Sequence, residues 1–163
     1  MPGRSSNPPD IIEFSAQNRS AVVRLMRELA RERDGWLNLQ PDIDLDELPD
    51  PGPTVLRVFS SRGPRVPLVT WVPGTKRRNG TYEPVSLGLQ HPMGPRAIPK
   101  LRELGHPPPD GWRLLADHPR RGLVLLVPDD EDPDLALQWA MRAAGLLSQV
   151  PLPERWIAGR YVR

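Results

Sequence analysis

Two segments with helical apolar spacing flank a middle region whose apolar residues follow the spacing of β-strands, and this order restricts the folds open to the chain. The first helical stripe, at i, i+3, i+4 and i+7, consists of Val22, Leu25, Met26 and Leu29. Such a stripe predicts an amphipathic helix. We place this helix between an N-cap at Ser15 and about Arg33, with Gly35 as its stop.

A second helix, near the carboxyl end, is marked by its cap and by its small apolar residues. Asp132 can cap it, because an aspartate oxygen accepts hydrogen bonds from the first helical turn. One face consists of Ala136, Ala140, Ala143, Ala144 and Leu147. Trp139 and Leu146 add a second apolar side, so that only a narrow stripe at Gln138 and Arg142 is polar. This helix therefore has more apolar surface than one packing face needs.

Five segments between the two helices have the composition or alternation of strands. They are 54–60, 66–72, 82–90, 112–116 and 123–127. Turn residues separate them, including Asn79-Gly80 and 118–122, and a short helix is expected at 94–104. The last segment, LVLLV, is apolar on both faces, which predicts a central place in the sheet. Residues 36–40 are expected to form a short extended piece.

The order α-β-β-β-α-β-β-α predicts an α+β fold with an antiparallel five-stranded sheet and helices packed mainly on one face. This order is similar to that of bacterial secretion-chaperone-type folds, which are small partner-binding dimers; the similarity is one of topology. We expect a disordered N-terminal tail at 1–12 and a single α+β domain at 13–149. Residues 150–163 are expected to form a C-terminal tail that packs on the domain or forms an interface.

The composition limits the cellular compartment that we expect for the protein and the kinds of reactive or metal site that it can build. The 163 residues include no cysteine, which excludes disulfides, thiolate metal sites and cysteine nucleophiles. The longest apolar run has only five residues, and the first ten residues do not resemble a signal peptide, so a cytoplasmic protein without a membrane partner is expected. Of the 22 basic residues only Lys76 and Lys100 are lysine, which is typical of GC-rich bacterial genomes and weakens arginine abundance as evidence of function.

No motif predicts a catalytic residue, a metal site or a cofactor. His91, His106 and His118 each precede a proline, and their separations do not match metal-ligand spacing, so we interpret them as turn residues. Asp117 beside His118 lacks a serine nucleophile on a sharp turn. The acidic run 129–134 lacks calcium-loop spacing and suits the start of a helix. An enzyme or ligand binder remains open only if its site is assembled by the fold.

The basic turns carry the second hypothesis, nucleic-acid binding. Residues 54–128 hold twelve Arg or Lys against four Asp or Glu. The turn cations are Arg62, Arg65, Lys76, Arg77, Arg78, Arg120 and Arg121. Such residues can contact phosphates, while Trp71, Trp112 or Tyr82 can stack on bases. The acidic segment 41–53 suits either a strap on the domain or a segment that docks on a basic partner.

A surplus of apolar and aromatic residues near the carboxyl end carries the preferred hypothesis. Tryptophan, tyrosine and arginine are enriched where proteins bind one another. The candidate interface residues are Trp139, Arg142, Leu146, Trp156, Ile157 and Tyr161. We therefore expect a non-catalytic interaction module, chaperone- or adaptor-like, that binds a protein partner or forms a homodimer. The alternative for the same residues is packing within their own domain.

Overall fold

Seven strands and three helices make up the fold in a computed structural model that describes residues 10–44, 46, 48 and 63–162. Along the chain they are β1 (Asp10–Ser15), α1 (Ser20–Glu32), β2 (Trp36–Pro41), β3 (Leu68–Val72), β4 (Val85–Gln90), α2 (Ala97–Glu103), β5 (Arg113–His118), β6 (Gly122–Val127), α3 (Pro133–Leu147) and β7 (Arg155–Tyr161).

The strands form one sheet in the order β1-β7-β2-β3-β4-β6-β5, and each neighbouring pair is antiparallel. The α+β class with an antiparallel sheet is therefore confirmed. The predicted number of five strands is wrong, because β1, β2 and β7 join the sheet as well. The predicted strand 54–60 lies outside the described residues.

The segment predicted as a C-terminal tail contains β7, which lies inside the sheet between β1 and β2. Its register pairs Trp156 with Phe14 on one side and with Pro41 on the other. Residues 10–12, which were expected in the disordered N-terminal tail, belong to β1 and pair with β7. β1 and β7 are thus held by main-chain hydrogen bonds that connect residues far apart in the chain.

The buried residues lie on one face of the sheet, where the three helices pack. Alternate residues of the inner strands enter this core, among them Leu37, Trp71, Leu89, Leu125 and Ala158. Helix α3 crosses β3 and β4 and lies against both α1 and α2. This position explains why α3 is apolar on two sides, since it packs on the sheet and on its neighbouring helices.

Two local predictions need correction. Ser15 does not cap α1; it ends β1 opposite Arg155, and α1 begins at Ser20. The LVLLV strand β6 is next to the edge strand β5 rather than central, and its second apolar side belongs to the face opposite the helices. The Asp132 cap is confirmed, because its side chain accepts from the Asp134 N–H at 3.0 Å.

Candidate functional site

The six candidate interface residues do not form one surface. Trp139 is 6 % exposed, and its Nε1 donates to the Pro107 carbonyl at 2.9 Å. Trp156 is 3 % exposed and packs with Phe14. Leu146 packs against the core, while Ile157 and Tyr161 lie on the second face of the sheet. The apolar surplus that we expected to be exposed is largely used within the chain.

Arg142 and Trp156 are nevertheless brought together, in a groove of about 380 Å³. We call this the α3 groove. It runs between α3, the loop that connects β1 to α1, and the segment that precedes β7. Its lining residues are Ala16, Gln17, Arg19, Gln138, Met141, Arg142, Gly145, Leu152, Pro153, Glu154 and Trp156. This size lies at the lower end of the range for ligand pockets.

An ion pair fixes one end of the α3 groove. Arg19 Nε lies 2.5 Å from Asp134 Oδ1, and its Nη2 donates to Oδ2 at 3.1 Å. The hydrogen bonds from Arg19 hold the pKa of the Asp134 carboxyl below its usual range, and they raise the pKa of the Arg19 guanidinium. Gln138 Nε2 also donates to this carboxylate, at 3.1 Å. A bidentate pair of this kind holds the loop before α1 against the first turn of α3.

Arg142 is the cation of the groove that remains available. It lies one turn beyond Gln138 on α3, its side chain is exposed, and no ion pair or hydrogen bond holds it among the residues that the structure describes. Glu154 stands on the opposite wall. Beneath them Met141 and Trp156 provide an apolar floor. The groove can therefore receive an apolar side chain and offer guanidinium hydrogen bonds to an acceptor beside it.

Gly145 keeps the groove open on the side of α3. It lies within the helix, it is exposed, and it does not have a positive φ. A Cβ atom at this position would meet nothing within 4 Å. A helix with glycine at an interior position is less stable than one with alanine by about 1 kcal/mol. Neither crowding nor backbone conformation explains why the chain has glycine at position 145. The sequence interpretation did not single out Gly145, although an isolated glycine in a helical pattern is a visible signal.

The histidines serve local structure. His118 Nδ1 accepts from the Arg120 and Arg121 N–H groups at 3.1 and 3.2 Å, which is the turn role that we expected. His106 Nε2 lies 3.0 Å from the Trp139 carbonyl oxygen. His91 is fully buried, and its Nδ1 accepts from the Met93 N–H at 3.3 Å. Within the described parts of the chain, no group of three His, Cys, Asp or Glu residues is placed to hold a metal ion.

Asp117 is not the partner of a catalytic histidine. Its carboxylate accepts from the Ala97 and Ile98 N–H groups, at 3.0 and 3.1 Å, and so caps α2 from a neighbouring strand. His118, the next residue, is exposed and turns toward the β5–β6 connection. The Asp117–His118 pair is therefore structural at both positions.

The basic turns lie at opposite ends of the sheet. Lys76, Arg77 and Arg78 are in the connection that precedes β4, whereas Arg120 and Arg121 lie where β5 turns into β6, beside the other end of β4. Antiparallel strands of six residues separate such ends by roughly 20 Å. Arg65 has an interaction partner and Arg62 lies outside the described residues. These cations do not form one continuous patch.

Comparison with known proteins finds no matching family model, no matching curated protein and no matching solved structure. None of the helices in the described ranges is long and apolar enough to span a bilayer.

Proposed function

We propose that this chain is a non-catalytic interaction domain that binds a short segment of a protein partner in the α3 groove. The observation that carries the proposal is Gly145, an exposed helical glycine that leaves the groove free without any conformational need for glycine. The segment inserts an apolar side chain above Met141 and Trp156, and it places an acceptor, preferably a carboxylate, at Arg142. Arginine is one of the residue types enriched at binding hot spots.

The fold supports this use of the groove because the walls are rigid elements. The Arg19–Asp134 pair ties the β1–α1 loop to α3, and β7 is held on both sides by sheet hydrogen bonds. A preformed groove costs little ordering free energy when it binds. An open groove of about 380 Å³ accepts one or two side chains. We therefore expect short linear segments with modest affinity.

Selection from a random peptide display library tests the proposal. The wild-type protein is the bait, and a Gly145→Trp variant, whose indole fills the groove, is the counter-bait. We expect enriched peptides that share an apolar residue next to an acidic one. Gly145→Ala serves as the matched control, because it adds only a methyl group. Peptides that bind wild type and Gly145→Trp equally well would place the binding surface elsewhere.

Nucleic-acid binding is the second candidate, and one observation favours it. Lys76, Arg77 and Arg78 are consecutive exposed cations, and within the described part of the chain only Arg77 has an acidic neighbour, with Nε 4.0 Å from Glu83 Oε1. Tyr82 is exposed nearby, although the Arg33 guanidinium lies 4.1 Å from the centre of its ring. This hypothesis requires salt-sensitive binding that Arg77→Glu with Arg78→Glu abolishes. A fluorescent single-stranded oligonucleotide titrated at two salt concentrations decides it.

A further inference from the structure

The second face of the sheet, which carries none of the described helices, is almost free of charge on its inner strands. We call this the open face. Its outward residues on β2, β3, β4, β6 and β7 include Trp36, Asn38, Gln40, Leu68, Thr70, Val72, Ser86, Gly88, Gln90, Val124, Leu126, Ile157, Gly159 and Tyr161. The charged exception is Arg155, the first residue of β7, which pairs with Asp42 at 2.5 Å.

The open face carries polar residues but hardly any charge on its inner strands. An antiparallel sheet with one solvated face carries polar residues outward, and 26 % of this chain is charged. On the open face, charge stands mainly at the rim, at Glu13 on β1 and Arg113 on β5. Trp36, the first residue of β2, stacks on Tyr161, the last residue of β7, with ring centroids 5.4 Å apart. An uncharged centre and a charged rim are the anatomy of a protein interface.

The extent of the open face suits a second sheet of the same size. Seven strands spaced about 4.8 Å apart span roughly 29 Å, and strands of about six residues are roughly 20 Å long. Pairing two such faces removes on the order of 1,200 Å² from water, which is the lower bound for a stable specific interface. Sheets of this kind pack face to face about 10 Å apart.

We propose that the open face is a homodimer interface, on which a second copy packs its own open face. Around a two-fold axis, residues near the axis meet their own copies, so any charge there would face a like charge. The inner strands satisfy this condition because the centre of the face holds Thr70, Ser86 and Gly88 instead of ionised groups. This dimer leaves the α3 groove, on the helix side, free in both copies.

Light scattering and sedimentation equilibrium on the full chain test the dimer. We expect a solution mass twice the chain mass of 18.3 kDa. Ser86→Arg places a charge on the inner strand β4 of the face and should give a folded monomer. Leu135→Arg is the matched control on the exposed side of α3, where Leu135 is 54 % exposed, and it should keep the double mass. Gly145→Trp should keep it as well, which separates this proposal from that for the groove.

A second variant and a labelling measurement distinguish loss of the dimer interface from misfolding of a variant. Thr70→Lys repeats the charge insertion on β3, and cooperative thermal unfolding shows whether each variant folds. Hydroxyl-radical labelling of Trp36 and Tyr161 should increase when the wild-type protein is diluted from dimer to monomer. A wild type that is monomeric at all concentrations overturns the proposal, whether its open face is exposed or covered from within the chain. A dimer that survives both charge insertions overturns it equally.

Discussion

At residue 145, the stability of α3 favours alanine over glycine, while an open groove requires a side chain no larger than a methyl group. Alanine would favour the helix, and the structure has room for its methyl group. We therefore expect Gly145→Ala to raise the free energy of unfolding by about 0.5–1 kcal/mol. Urea unfolding followed by circular dichroism measures the change. A variant less stable than wild type would show that glycine at 145 serves the fold and not the groove.

His91 should make stability depend on pH. Burial lowers the pKa of His91 below its ordinary 6.5, and the nearby Asp117 carboxylate acts in the opposite direction. At a pH between the folded-state and the unfolded-state pKa of His91, the unfolded chain binds a proton that the folded protein excludes. The contribution of neutral His91 to the free energy of unfolding is therefore complete above about pH 6.5. It is lost as the pH falls toward the lower, folded-state pKa.

The matched variant for this effect is His91→Gln, which keeps a polar side chain but does not titrate. We expect the free energy of unfolding of wild type to fall more steeply than that of the variant between about pH 7 and pH 5. Urea unfolding at several pH values measures both slopes. Parallel curves would contradict the role given to His91.

At single residues, local sequence patterns predict the local roles and miss the long-range ones. The turn role of His118 follows from the proline after it, and the cap by Asp132 follows from its place before Pro133. Asp117 caps a helix that begins twenty residues earlier in the chain, so no local pattern indicates it. Gly145 is visible in the sequence, but its meaning depends on the empty space around it.

Among the elements, α2 depends most on a residue from outside its own segment. It has seven residues, no side-chain cap of its own, and an N-cap residue, Arg96, in the left-handed conformation. Asp117→Ala removes the two hydrogen bonds at its first turn, and we expect a loss of about 1–2 kcal/mol in the free energy of unfolding. Asp117→Asn keeps an acceptor oxygen and should lose less. Equal stability of wild type and both variants would show that the cap is not needed.

The elements that the sequence predicts well are those whose apolar spacing is local. The stripe of α1 and the cap of α3 lie within their own segments, and β3 to β6 overlap four of the predicted strands. β1 and β7 are harder because each depends on a partner more than a hundred residues away. β7 also contains Gly159 and a central Ala158, which weaken a strand pattern.

For the whole molecule, the position of β7 changes the meaning of a C-terminal truncation. A chain that ends at Gln149 loses an interior strand and leaves β1 without its neighbour. We expect this chain to lose cooperative unfolding and native near-ultraviolet circular dichroism. Thermal scans of the truncated and full chains measure this. A truncated chain that melts cooperatively would show that β7 is dispensable for the fold.

The α3 groove could not be predicted as a site because it is assembled from three distant stretches, at 16–19, 138–145 and 152–156. The sequence drew attention to Arg142 and Trp156 for their residue types, and the fold brings both to the groove. Trp139 has the same residue type but lies in the core beside Trp112. Composition identifies residues capable of binding, whereas topology determines which of them reach a surface.

The most direct test of the partner-binding groove is calorimetric titration of one selected peptide into wild type, Gly145→Ala and Gly145→Trp. We expect Gly145→Trp to weaken binding at least about tenfold, equivalent to about 1.4 kcal/mol, while Gly145→Ala binds within about threefold of wild type. Circular dichroism of both variants confirms that the fold is retained. Equal affinity for all three proteins would contradict the assignment of the α3 groove as the binding site.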